Sequence, residues 1–146
     1  MAEGIPKSLK DRVAAEARHR CGYCLTHQQV SGAQMHLEHL IPLARGGRTE
    51  RSNLWLACAW CNSFKGVRTE AVDPATAARV ALFNPRTQDW FEHFAWDDGG
   101  TRIIGLTPVG RATVEALKLN NPSIVPARRL WVLAGRPTRR SGAAST

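Results

Sequence analysis

Along the first twenty residues Leu9, Val13, Ala14 and Ala17 recur at intervals of three and four, separated by polar and charged positions. That spacing places them on one helical stripe. Ser8 is positioned to cap it, and Asp11 three residues later completes an approximate capping box. A helix is therefore expected over 9–20, running straight into Cys21. Residues 25–34 are polar, contain Ser31-Gly32, and predict a loop. From Met35 to Leu40 the period changes to two, with Met35 and Leu37 on one face and His36 and Glu38 on the other. This is a short strand, ended by Pro42. Ala44 to Ser52 is a polar loop containing Gly46-Gly47. Leu54-Trp55-Leu56-Ala57 predicts a second strand, and a helix is expected from Ala59 to about Arg68.

The second half opens with 71–89, where Pro74, Pro85 and weak periodicity predict a connecting arm. Trp90 to Trp96 predicts a strand, Asp97-Asp98-Gly99-Gly100 a turn, and Arg102 to Leu106 the returning partner of a hairpin. Thr107 before Pro108 signals a helix start, with the end expected at Asn120-Asn121. A last helix is expected over about 123–134, stopping at Gly135. The fold class is thus α+β. Three segments are expected: a strand–loop–strand–helix core over 7–70, a β-hairpin with two helices packed on that core over 71–135, and a disordered basic tail over 136–146.

Charge adds a partner class. The chain carries 20 Lys and Arg against 12 Asp and Glu, a net +8. The excess is divided evenly between 1–70 and 71–146, yet no Asp or Glu follows Glu115. Such a surface suits a polyphosphate partner, nucleic acid above all. No stretch is long and apolar enough to span a bilayer, and the N-terminus lacks an apolar signal core. A cytoplasmic setting without membrane contact is expected, and in reducing surroundings paired cysteines favour metal over disulfides.

The cysteines are two Cys-x-x-Cys pairs, Cys21/Cys24 and Cys58/Cys61. Four thiolates make a closed tetrahedral shell for Zn²⁺ with no position left for substrate, so the expected role is structural. Gly22 is expected to let the backbone turn so that two thiolates converge. Redox pairs are the alternative, but a redox Cys-x-x-Cys sits at a helix start in a βαβ pattern, which this sequence lacks.

Between and after these pairs stand Leu37-Glu38-His39-Leu40-Ile41-Pro42, Gly46-Gly47, Asn53-Leu54, Cys61-Asn62 and Lys65-Gly66. The run resembles the zinc-stapled branch of the HNH endonuclease family, in a His-Asn-Asn variant because Asn62 replaces the final histidine. The resemblance implies a ββα-metal core stapled by the four-cysteine zinc site, and metal-dependent hydrolysis of DNA leaving 5′-phosphate and 3′-hydroxyl ends. Carried over residue by residue, it makes Glu38 and Asn62 ligands of a catalytic Mg²⁺ or Mn²⁺, His39 the general base, and Asn53 the residue that steadies loop and histidine. The donor types agree: carboxylate and amide oxygens suit a hard cation, and imidazole titrates near neutrality. Successive strand residues point to opposite faces, so Glu38 and His39 can serve one phosphate only where the strand twists or ends.

Other residues carry two readings each. His36 is a metal or phosphate contact or an exposed strand histidine. Lys65 holds a phosphate or is a solvated helix lysine. Arg45, Arg48 and Arg51 meet backbone phosphates or form a charged solvated loop. Arg128 and Arg129, with the tail arginines, are placed for phosphate binding. Trp90, Phe91, Phe94, Trp96 and Trp131 are core aromatics or a stacking platform. His19 and His27 are expected at the surface. Monomer and weak dimer both stand, because no strong dimer seam is visible. The competing functions are a zinc-stabilised nucleic-acid-binding module that does not cut, and a redox or zinc sensor, which leaves the Glu-His-Asn set unexplained.

Overall fold

The computed structural model describes residues 4–135, and the expected basic tail lies outside them. Helix α1 spans Lys7–Glu16 with extended Pro6 as its N-cap. Ser8 lies inside the first turn rather than capping it, and the helix stops short of the expected 20. Arg18 (φ 56°) and His19 (φ 58°) are both left-handed, which ends any right-handed helix. The reversal lets Arg20 pair with His27 across the first cysteine turn. Part of the expected loop is the single-turn helix α2 (Gln28–Ser31), capped by the His27 side chain and closed by left-handed Gly32.

Strands β1 (His36–His39) and β2 (Leu54–Ala57) form an antiparallel hairpin in which Glu38 faces Trp55 and His39 faces Leu54. The connecting loop contains two 3₁₀ turns, Leu43–Arg45 and Arg51–Asn53. Helix α3 (Ala59–Lys65) follows β2 directly, with Cys58 as its N-cap. The ββα order expected from the sequence is therefore present, with the helix ending at Lys65 rather than near Arg68.

The expected connecting arm contains a second hairpin, β3 (Glu70–Val72) and β4 (Arg79–Ala81). Three-residue strands are too short to leave a periodic signal. Their turn is organised by Asp73, which accepts from the Ala75 amide (3.0 Å) and the Thr76 hydroxyl (2.8 Å). Trp90 to Trp96 is not one strand. Asp89 caps the short helix α4 (Trp90–His93), and β5 (Phe94–Asp97) begins after it. Strand β5 pairs with β6 (Arg102–Gly105) as expected.

Helix α5 (Pro108–Ala116) is capped by the Thr107 hydroxyl, as its sequence predicts, but ends before Asn120. Lys118 is left-handed (φ 50°), and this frees Asn120 for another role. Its amide bonds both the N–H and the C=O of Ile103, each at 2.7 Å, and so stands in for a neighbouring strand. Helix α6 (Ile124–Leu133) closes the described chain, with Gly135 left-handed after it.

One buried cluster runs through both halves. It joins Cys21, Tyr23, Cys24, Leu56 and Cys61 to Phe83, Trp90, Phe94, Ile103, Leu117 and Leu119. Trp90 packs on Phe91, Phe94 and Trp96 with ring centroids 4.9–5.6 Å apart. These aromatics serve packing, the plainer of their two readings, and Trp131 is half-buried on α6. No helix among the described residues is long and apolar enough to cross a membrane.

Candidate functional site

The four cysteine sulfurs lie within 4.8 Å of one another. Cys24 Sγ and Cys58 Sγ are 3.7 Å apart, close to the ~3.8 Å that a tetrahedron of ~2.3 Å Zn–S bonds requires. Backbone amides already point at the sulfurs: Tyr23 N–H to Cys21 and Cys61 N–H to Cys58, both at 3.4 Å. Burial, reinforced by the Cys24 and Cys58 sulfurs, pushes the Cys21 thiol well up, a penalty that a bound divalent cation removes. The donor set, its spacing and its burial are those of a structural zinc site.

Gly22 has a different reason from the one expected. Its φ is not left-handed. A Cβ there would lie 2.4 Å from Trp55 Cδ1 and 2.7 Å from Pro85 Cβ, so glycine permits the first cysteine turn to press onto β2. The Gly22 N–H completes that contact by donating to Leu56 O at 2.9 Å.

Glu38 and His39 diverge, as alternation along a strand requires. Glu38 is buried, at 4% exposure. Its Oε2 accepts from the Tyr23 hydroxyl at 2.6 Å, and its Oε1 lies 3.0 Å from Lys65 Nζ. That ammonium also donates to Leu40 O at 3.3 Å. Oε1 nevertheless receives no well-aligned hydrogen bond. Burial raises the Glu38 carboxyl, while the Lys65 charge and the Tyr23 hydroxyl draw it back down. Burial pushes the Tyr23 phenol well up, and the Glu38 charge adds to this, so the phenol stays a donor. Tyr23 and Lys65 both border an adjoining cleft of about 310 Å³.

His39 is half-buried on the other side, with Nε2 2.8 Å from the Thr49 hydroxyl. Its burial lowers the imidazole below its ordinary value, which favours the neutral, proton-accepting form.

Asn53 ties the loop behind His39. Its Oδ1 accepts from Ile41 N–H (2.8 Å), and its Nδ2 donates to Ile41 O (3.0 Å) and Arg48 O (2.9 Å). Its backbone oxygen accepts from Leu40 N–H (2.8 Å). Gly47 sits in the same knot, where a Cβ would lie 1.7 Å from Ile41 O. Asn62 is half-buried on α3, the helix that carries Lys65.

Two residues expected on phosphates are placed elsewhere. Lys65 is 3% exposed and paired with Glu38, so it is neither a surface cation nor a solvated helix lysine. Arg128 has no exposed surface at all. In both cases burial takes the charge out of reach of a passing backbone. Arg45, Arg48, Arg51 and Arg129 are exposed. Of these, Arg45 Nε donates to Val67 O at 2.6 Å, and Arg51 is engaged by Glu16. His36 is exposed on β1.

Sequence reasoning missed Tyr23 and Thr49. A tyrosine between two cysteines carries no local signal for a carboxylate partner, and Thr49 is one of several polar residues in its loop.

Residues 21–68 match the family model described as HNH endonuclease. The matched segment begins at the first cysteine turn and contains β1, β2 and α3. The α+β core with a four-cysteine cluster, expected from the sequence, is thus the one observed. The match ties this segment to nuclease or other nucleic-acid-related function. No curated protein and no solved structure matches the chain.

Proposed function

We propose that this protein is a metal-dependent endonuclease that hydrolyses DNA phosphodiester bonds. The observation that carries the reading is His39: a neutral-leaning imidazole, held at Nε2 by Thr49 at the end of β1, directly after a carboxylate whose Oε1 lacks an aligned donor. That oxygen is ion-paired with Lys65 at 3.0 Å but without a well-aligned hydrogen bond, so a cation would have to displace the ammonium or share the carboxylate with it. Glu38 and Asn62 would hold Mg²⁺ or Mn²⁺, and the bound cation would supply charge stabilisation for the phosphorane-like transition state and the departing 3′ oxygen. His39 would take a proton from the attacking water. Asn53 holds the loop that sets the imidazole's position. Exposed Arg45, Arg48 and Arg129 would take backbone phosphates without reading sequence. Zn²⁺ on the four thiolates would be structural. One such site cuts one strand, so a monomer nicks and a weak dimer or second visit is needed for a double break.

A second reading is favoured by one observation. Lys65 and Tyr23 already occupy the Glu38 carboxylate. A module in which that arrangement is permanent binds nucleic acid without cutting it.

Supercoiled plasmid separates the two. The wild-type chain should nick it in Mg²⁺ or Mn²⁺ but not in EDTA, and His39→Ala should retain only a small residual rate. Retained binding with no nicking by either protein selects the module.

A further inference from the structure

Among the described residues, one fully buried charge lies far from His39 in sequence. Arg128, on α6, has no exposed surface. Its Nη1 donates to Thr101 O (3.1 Å) and Asn120 Oδ1 (3.3 Å), and its Nη2 to Leu119 O (2.7 Å). All three acceptors are neutral. Its Nε has no hydrogen-bond partner, and the group lies 5.5 Å over the Trp96 ring. Among the described residues, no carboxylate forms an ion pair with it. A buried charge without an opposite charge is among the costliest arrangements in a protein, and α6 supplies no anion to offset it.

The cysteine cluster shares a cavity with it, and would be that anion once loaded with a divalent cation. Arg128 lines one small cavity with Cys24, Cys58 and Cys61. Four thiolates around one divalent cation carry a net charge of −2, also in a buried setting. Each buried charge removes the other's defect.

We propose that Arg128 is the counter-ion of the tetrathiolate metal site, and that through it α6 holds the two cysteine turns together. This rests on the zinc reading but not on the nuclease reading. Arg128 is a positioning residue: it meets no substrate, and it acts on the metal through the field at the sulfurs. Such outer partners commonly set metal affinity. Neutral carbonyls orient the fork while the cluster supplies the charge, a division of labour suited to guanidinium. The C-terminal segment is then part of the metal site rather than an appendage to it.

The test uses the full-length, zinc-loaded chain and follows transfer of zinc to an excess of a chromogenic chelator under native conditions. Arg128→Met keeps the length and loses the charge; Arg128→Lys keeps the charge and loses the fork. Phe94→Leu, an uncharged change in the same buried cluster but away from the cavity that Arg128 shares with the cysteines, controls for loosened packing. The methionine variant should release zinc at least about tenfold faster than wild type, a loss typical of removing an outer partner, and the lysine variant should recover most of it. Phe94→Leu should lose thermal stability with little change in release. Equal release by wild type and Arg128→Met would overturn the proposal, as would a lysine variant no better than methionine.

If Arg128→Met does not fold, hydrogen exchange on wild type decides. Stripping zinc should expose the amides of 124–133 together with those of the cysteine turns. Protection of α6 that survives zinc removal would overturn the proposal. A purified chain with no zinc and no affinity for it would remove the zinc reading as well.

Discussion

Glu38 Oε1 and Lys65 Nζ lie 3.0 Å apart, and both side chains are almost wholly buried. The carboxylate is the residue expected to hold a catalytic cation, and the ammonium is already where such a cation would stand. Tyr23 holds the other oxygen at 2.6 Å, so the pair is built into the ββα core rather than resting on its surface.

Removing one partner should cost more than removing both. Lys65→Met leaves a buried carboxylate with a hydroxyl alone, and should lower unfolding free energy by about 3–5 kcal/mol. Glu38→Gln/Lys65→Met should recover a large part of that loss. Tyr23→Phe should cost about 1–3 kcal/mol, the cost of an acceptor left unpaired. Urea unfolding of the four proteins measures this. A Lys65→Met chain as stable as wild type would show that the ammonium does not compensate the carboxylate.

The pH profile of cleavage should report His39. Its folded pKa lies below 6.5, chiefly through burial. Nicking should therefore rise as pH increases through that lowered pKa and level off above it, because the neutral imidazole is the active form. The same shift acts on folding with the same sign. Between the folded value and 6.5 the unfolded chain binds more protons, so stability rises with pH across that window. The slope in cleavage, measured over pH 5–8, should disappear in the residual activity of His39→Ala. Thr49→Val should lower the plateau by about tenfold, the effect of one lost positioning bond, with KM less affected.

Asn53→Ala should damage catalysis more than binding. Three side-chain bonds vanish, and the Ile41 N–H, Ile41 O and Arg48 O lose their partner. Each buried group left unpaired costs about 1–3 kcal/mol. The loop carrying Thr49 should loosen, lowering kcat while phosphate contacts persist. Gly47→Ala should do the same by steric force, since its Cβ would overlap Ile41 O. Gly46→Ala meets no neighbour but carries the strain of φ 88°. A DNA-binding titration beside single-turnover cleavage separates these effects.

Asp73 joins the β3–β4 turn to α5 through a two-pronged contact with Arg111, with both N···O distances 2.9 Å. Arg111 holds the carboxyl well below the usual carboxylate range. A depressed carboxylate contributes stability that is complete above its unfolded pKa of about 3.9 and is lost as pH falls towards the folded value. Asp73→Asn should therefore be less stable than wild type at pH 7, and the gap should begin to narrow only below about pH 4 and go on shrinking as pH falls towards the folded value. Paired melting curves at pH 7 and at about pH 2, well below the unfolded pKa, test this, and a gap independent of pH would mean the carboxylate charge is not what matters.

Local features were legible in the sequence wherever a residue's job depends on its neighbours along the chain. The thiol pairs, the alternation of β1, the Thr107-Pro108 helix start and the Asp-Asp-Gly-Gly turn are short-range patterns, and each appears where it was expected. The end of α1 was not legible, because nothing in Arg18 or His19 announces a left-handed backbone that is selected by closing the cysteine turn. Nor was the β3–β4 hairpin, whose turn is locked by Arg111, 38 residues away.

By itself the sequence determined the order of the chemical groups at the candidate site: four soft sulfurs, the Glu38-His39 step, the Asn53 and Asn62 amides, and around them an excess of positive charge. Tertiary structure decided which of those charges meet solvent. It took Lys65 and Arg128 from the phosphate-binding set and buried them beside Glu38 and the cysteine cavity. Composition records a charge, but the environment that stabilises it comes from residues brought together by packing, and no spacing along the chain encodes that environment.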